Sequence, residues 1–360
     1  MSGTAGERAG ATTERVAVGV MSPGVARAFD RSLIDALETR ARVSLIDWGD
    51  PPPVRAAKSD GTRTKAWIRA HERPLEDAQR ERLAGTEVLL TLDLPIDVEQ
   101  VAPRLRFVQG VGAGVTQLVA VLRETSVRLT SAAGVSGEKV AEFAMARLLS
   151  VWTDARRLDA LQRSRRWTPE EVETASVSGR TVVVVGTGGI GTAFALRAVA
   201  FGLTVVGVRR RPELGAPPGF QRVVGPDALH DALAEADAVV LAAPATSRTR
   251  QLVGKAELEA MRAGAVLVNV ARGALVDEDA LVRALESGHL GAAVLDVTAH
   301  EPLPRSSPLW KAPRTYISPH VANAWRPEYM REVGALFVDN LERYLEGRPL
   351  RNEVDLHEGY

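Results

Sequence analysis

From Thr181 onward one pattern recurs six times, a short β-branched or apolar run followed by a helical one: TVVVV from Thr181, LTVVGV from Leu203, AVVLAA from Ala238, AVLVNV from Ala265, AAVLDV from Ala292 and TYIS from Thr315. Strands that alternate with helices build a parallel sheet covered by helices, because each crossover returns the chain to the same edge. Six such units make a complete doubly wound sheet of the kind that binds dinucleotides.

A first, shorter series precedes it: VAVGV from Val16, VSLI from Val43, VLLTL from Val88, RFVQ from Arg106 and VRLT from Val127. Between the two lies a long helical pattern, Gly137 to Trp167, with Val140, Ala144, Leu148 and Trp152 in helical spacing. A final amphipathic pattern, Arg326 to Leu345, leads back to the first series. At 360 residues the chain exceeds one hydrophobic core. The fold class expected is therefore α/β, with a Rossmann-type doubly wound sheet inserted into a second α/β domain. Residues 151–321 form the dinucleotide-binding domain, 16–150 and 322–360 the substrate domain, and 1–15 a polar tail. The stretch Pro51 to Pro53 and the polar residues after it read as an exposed loop.

Composition narrows the partners. Lys and Arg number 45 and so do Asp and Glu, so no net charge draws the protein to nucleic acid or to an anionic membrane. No segment has the roughly 18 or more apolar residues of a membrane span. With no cysteine there are no disulfides, thiolate metal sites or cysteine nucleophiles, which suits the cytoplasm. Redox chemistry must then come from a bound cofactor, and no metal site is expected.

Gly186-Thr187-Gly188-Gly189-Ile190-Gly191 follows the strand TVVVV directly and opens the helical run TAFALRAVAFG. In that context G-x-G-x-x-G is a dinucleotide turn: Gly186 for the tight bend, Gly188 for close approach of the pyrophosphate, Gly191 for helix-on-strand packing. An NAD site places an acid at the end of the next strand to hold the ribose 2′-hydroxyl. Here the strand ends in Arg209, Arg210 and Arg211, guanidinium groups suited to a 2′-phosphate, so NADP is favoured and NAD is possible.

Three further segments end predicted strands: Asn269-Val270-Ala271-Arg272-Gly273, Leu295-Asp296-Val297-Thr298-Ala299-His300-Glu301, and Ser318-Pro319-His320-Val321-Ala322. Carboxyl ends of parallel strands lie on one edge, which lets Arg272, Glu301 and His320 converge. Reduction of a 2-oxo acid needs a cation to hold the carboxylate and polarise the ketone, and an acid to protonate its oxygen. Arg272 suits the first task and His320 the second.

GTGGIG, NVARGALVDEDALVRAL, LDVTAHEPLP and SPHVA, in this order, resemble the D-isomer-specific 2-hydroxyacid dehydrogenase family, over roughly Val88 to Tyr344. The family includes glyoxylate and hydroxypyruvate reductases, and its substrate domain is flavodoxin-like. The resemblance implies a D-2-hydroxy acid or 2-oxo acid as small-molecule substrate, a homodimer, and a hydrogen bond between Glu301 and His320. It implies further that Ala113 and Gly114, in Gly112-Ala113-Gly114-Val115, bind the substrate carboxylate through their amides with Arg272. Gly189 and Ile190 would meet the pyrophosphate and Asp296 the nicotinamide carboxamide, while Pro244 and Val270 would line the cofactor cleft or simply pack. His300 is loop structure.

Departures bear on the substrate. Asn323 and Trp325 follow the histidine where small residues are usual, and Thr116 stands where Asp is common. Formate dehydrogenases of the same scaffold carry Gln where this chain has Glu301, which disfavours that reaction. A nucleotide-sensing corepressor on the same fold is the alternative from another class.

Overall fold

The computed structural model describes residues 15–24, 29, 31–323 and 327–359. The expected tail, apart from Arg15, and Trp325 and Arg326 lie outside the described residues. The chain divides into two compact units, Met1–Ser131 with Met330–His357, and Ala132–Tyr329 with Glu358–Tyr360.

In the first unit β1 (Ala17–Met21), β2 (Arg42–Ile46), β3 (Val88–Thr91), β4 (Phe107–Gly110) and β5 (Arg128–Thr130) form a parallel sheet in the order β2-β1-β3-β4-β5. That is the flavodoxin-like order. β3 and β4 are buried at every position, as strands covered on both faces must be. The triple proline is not a loop: a helix runs from Pro52 to Asp60, with proline in the first turn, where its missing N–H leaves no hydrogen bond unmade. The helix ends on Gly61, whose φ of +67° closes the C-terminus with an N–H to the carbonyl of Ala57. This helix carries Lys58, 3% exposed, whose Nζ donates to Asp50 Oδ2 at 2.6 Å and to the Leu94 carbonyl at 2.7 Å. Burial pushes the Asp50 carboxyl up to about 6 against the opposing pull of Lys58.

The second unit holds a seven-stranded parallel sheet, β6 (Thr181–Val185), β7 (Thr204–Val208), β8 (Arg222–Val224), β9 (Ala238–Leu241), β10 (Val266–Asn269), β11 (Ala292–Leu295) and β12 (Thr315–Ile317), in the order β12-β11-β10-β9-β6-β7-β8. Its order reverses between β6 and β9, which is the switch point where doubly wound sheets bind ligands. β8 is absent from the sequence reading because three residues at a sheet edge carry no periodic signal.

The long pattern beginning at Gly137 is two helices, Gly137–Trp152 and Ala155–Arg163, broken at Asp154 with φ +48°. The first buries Val140, Ala144 and Leu148 with Phe194 and Ala198 of the helix Gly189–Ala200. For this reason the second compact unit begins at residue 132 rather than at the expected 151. The last helix runs Pro327–Leu345. Among the described residues no helix is long and apolar enough to cross a membrane, and no group of three or more His, Asp or Glu side chains is arranged to hold a metal ion.

Candidate active site

All seven strands of the second unit point the same way, so the loops after β6, β7, β9, β10, β11 and β12 leave from one edge. The loop after β6 is the glycine turn. Gly186 adopts φ +102°, and a Cβ there would sit 2.6 Å from the Ala243 nitrogen and 2.7 Å from the Ala242 carbonyl. At Gly191 a Cβ would lie 2.0 Å from the Gly186 carbonyl oxygen, so the helix approaches the strand only because both are glycine. Gly188, the residue before the helix, differs: a Cβ would meet nothing within 4 Å. Together with the unpaired amides that open a helix at Gly189 and Ile190, this open, glycine-lined end fits a pyrophosphate.

β7 delivers Arg209, half-buried, then Arg210 and Arg211, both exposed. The Arg210 guanidinium pairs with Glu358 at 2.5 Å, and Arg248 pairs with the same carboxylate. Pro244 is exposed in the loop after β9, whereas Val270 is buried in the core cluster with Val268 and Val294.

Arg272 follows β10 by three residues. Asn269, 1% exposed, shapes that segment: its side chain accepts from the Ala271 amide at 3.1 Å and donates to the Arg272 carbonyl at 2.9 Å. Desolvation lowers the pKa of the half-buried Arg272 from its usual value, opposed by the charges of Glu301 and Tyr329. Gly273 locks this loop against the next, because a Cβ would fall 1.9 Å from the Thr298 carbonyl carbon.

In that next loop the Thr298 amide donates to Glu301 Oε1 at 3.1 Å, and Glu301 Oε2 meets His320 Nδ1 at 2.7 Å. Desolvation is the largest influence on Glu301 and raises its pKa. The hydrogen bond and charge of His320, with the Thr298 amide and the Arg272 charge, outweigh it and hold the carboxyl below its ordinary value. His320 itself sits at φ +52°, in the left-handed region, and its amide donates to the Asp296 carbonyl at 2.8 Å. The three residues expected from sequence to converge thus do so within one unit.

Asp296 bonds to the loop after β12. It is 2% exposed, Oδ1 accepts from Ser318 Oγ at 2.6 Å and the Val321 amide at 3.0 Å, and Oδ2 accepts from the Ala322 amide at 2.9 Å. Its carboxylate holds the loop that bears His320. Sequence reasoning assigned no role to Asn269 or Thr298; the signal for Asn269 was a hydrogen-bonding side chain two residues before an expected strand-end turn. The His300 carbonyl accepts from Thr298 Oγ1 at 2.9 Å. Ala113 and Gly114 belong to the first unit, in the loop after β4, with Ala113 exposed and Gly114 half-buried.

The family model for D-isomer specific 2-hydroxyacid dehydrogenase, NAD binding domain, matches residues 145–322. The glyoxylate reductase of Korarchaeum cryptofilum is 32% identical, covering 76% of this chain and 84% of that protein. The glyoxylate/hydroxypyruvate reductase B of Yersinia enterocolitica is 35% identical over 71% of this chain and 78% of its own. Among solved structures, the D-isomer specific 2-hydroxyacid dehydrogenase from Xanthobacter autotrophicus Py2, in complex with NADPH and MES, superposes with a TM-score of 0.77 at 29% identity, covering 96% of this chain and all of that one. Fold, strand-end chemistry and relatives agree: the chain belongs to the D-isomer specific 2-hydroxyacid dehydrogenase family, NAD(P)-dependent oxidoreductases that transfer hydride to a 2-oxo acid.

Proposed function

We propose that this chain is an NADPH-preferring reductase of small 2-oxo acids, yielding the D-2-hydroxy acid. The observation that carries the reading is the 2.7 Å hydrogen bond between Glu301 and His320 Nδ1, with Arg272 close enough to act on the same carboxylate. A nicotinamide cofactor held at this strand edge would supply the hydride that the ketone carbon accepts. Arg272 holds the substrate carboxylate and draws charge toward the ketone oxygen through its planar fork. His320 delivers the proton to that oxygen from Nε2, since Nδ1 is engaged by Glu301. Glu301 stabilises the imidazolium before transfer. Asp296 keeps the His320 loop in place. In the oxidative direction His320 takes the proton back.

Preference for NADPH rests on Arg209, Arg210 and Arg211, none of which would repel a 2′-phosphate, and on the NADPH complex of the Xanthobacter relative. In this reading the second unit carries the cofactor and the first the substrate selectivity; roles for Ala113 and Gly114 rest on the resemblance alone. We place the protein in the cytoplasm as a homodimer. The second unit leaves Trp167 95% and Trp310 53% exposed, apolar surface of the kind a partner subunit covers.

The test is oxidation of NADPH and NADH by the purified protein with glyoxylate, hydroxypyruvate, pyruvate, phenylpyruvate and branched 2-oxo acids. At least one should turn over, with NADPH favoured by at least about tenfold, the equivalent of one charge-assisted hydrogen bond. Turnover of none, or a preference for NADH, would contradict the reading.

A further inference from the structure

The loops after β7 and β9 flank β6, and with it the glycine turn. The Glu358 carboxylate ties them together. Glu358 accepts from Arg210 Nη1 of the first loop at 2.5 Å and from Arg248 Nη2 of the second. Both arginines and the glutamate belong to the same compact unit, although the chain from Met330 to His357 is grouped with the other. Glu358 therefore places a negative group at the strand edge beside the turn that fits the pyrophosphate.

We propose that Glu358 is a specificity-determining residue, its carboxylate competing with the 2′-phosphate of NADP(H) for the guanidinium groups of Arg210 and Arg248. The proposal rests on the reading of Arg209–Arg211 as the ribose end of the cofactor site. A carboxylate and a phosphate ask the same thing of a guanidinium, two parallel N–H donors, so one cation cannot satisfy both fully. The phosphate brings a charge of about −1.5 to −2 and three acceptor oxygens against a single charge and two. Side chains of Arg210, Arg248 and Glu358 are 42%, 57% and 34% exposed, so the pairs are screened by water and displaceable. The hydrogen bonds from Arg210 and then Arg248 hold the Glu358 carboxyl below its usual value, which keeps the competitor ionised at the pH of the reaction. Glu358 thus weakens binding of the phosphorylated cofactor and leaves the unphosphorylated one alone, narrowing the gap between NADPH and NADH.

The experiment is calorimetric titration of the full chain, wild type and Glu358→Gln, with adenosine 2′,5′-bisphosphate and with adenosine 5′-monophosphate as probes. The wild type should favour the bisphosphate. Glu358→Gln should then tighten it roughly two- to tenfold, the range of two exposed ion pairs, with monophosphate affinity unchanged. If the wild type favours the bisphosphate but Glu358→Gln leaves both affinities as they were, the competition is refuted and the reading of the arginines stands. Equal wild-type affinities that remain equal in Glu358→Gln would refute the arginine reading itself. Equal tightening of both probes would show obstruction rather than charge competition, and weaker bisphosphate binding would show that Glu358 positions the arginines; either overturns the proposal.

Discussion

Replacing Asp296 by asparagine should impair catalysis well beyond its effect on cofactor binding. The carboxylate accepts three hydrogen bonds, from Ser318 Oγ and the amides of Val321 and Ala322, and all three donors flank His320. Asparagine keeps one oxygen for the first two but turns an NH2 toward the Ala322 amide. One charge-assisted bond is lost, worth roughly 1.5–3 kcal/mol, and a buried N–H is left facing another donor, at a further ~1–3 kcal/mol. The lower sum, about 2.5 kcal/mol, corresponds to a fall in melting temperature of about 5 °C or more for a unit of this size. A His320 loop displaced by even an ångström misaligns the proton donor, so kcat/KM for the 2-oxo acid should drop by about a hundredfold. The assay pairs thermal unfolding with steady-state kinetics and NADPH titration, in which affinity should stay within about threefold. An asparagine variant that melts within about 2 °C of wild type and turns over normally would refute the assignment of Asp296 as the anchor of this loop.

Arg272→Lys retains the charge but not the planar fork, and kcat/KM for 2-oxo acid reduction should fall by at least about a hundredfold; near-normal turnover would mean that only diffuse charge matters. Neutralising Arg209 and Arg210 together should weaken NADPH use by at least about tenfold while sparing NADH, measured as the ratio of the two kcat/KM values. Lys58→Met strands the buried Asp50 carboxylate and should destabilise the first unit by roughly 3–5 kcal/mol in denaturant unfolding. Burial already lifts Asp50 to about 6, and loss of Lys58 lifts it further, so the folded variant takes up the proton as pH falls and its deficit should shrink toward pH 5.

What was legible in the sequence had a local signature. The runs at Val88, Arg106, Thr181 and Ala238 became strands because their buried faces demand β-branched and apolar residues, and GTGGIG became a turn because Gly186 and Gly191 leave no room for a Cβ. Arg272, Glu301 and His320 were legible because parallel strands deliver their carboxyl ends to one edge. What escaped depends on contacts distant in sequence. The three residues of β8 gain strand form only by pairing with β7. Pro51 to Pro53 hid a helix start, since proline that breaks a helix interior is harmless in its first turn. The helix from Gly137 joined the second unit through side chains of a helix some fifty positions on, Phe194 and Ala198. Asp296 and Glu358 exert their influence through partners 22 to 148 positions away, Ser318 and Arg210, which no periodicity announces.

The proposed role of His320, held by Glu301, is delivery of the proton in 2-oxo acid reduction. Its most direct test is the pH profile of kcat/KM for reduction in wild type, Glu301→Gln and His320→Ala. The Glu301 carboxyl lies below its ordinary value and so is ionised throughout the neutral range, where its charge favours a protonated imidazole beside it. Reduction uses that protonated form, so activity should be lost as pH rises. Glu301→Gln removes that favourable charge, so the alkaline limb of its activity profile should move toward acid. His320→Ala should lose about a hundredfold or more in kcat, the range of a single proton-transfer group, while still binding NADPH. An alkaline limb that stays in place in Glu301→Gln, or substantial turnover in His320→Ala, would rule out His320 as the proton donor.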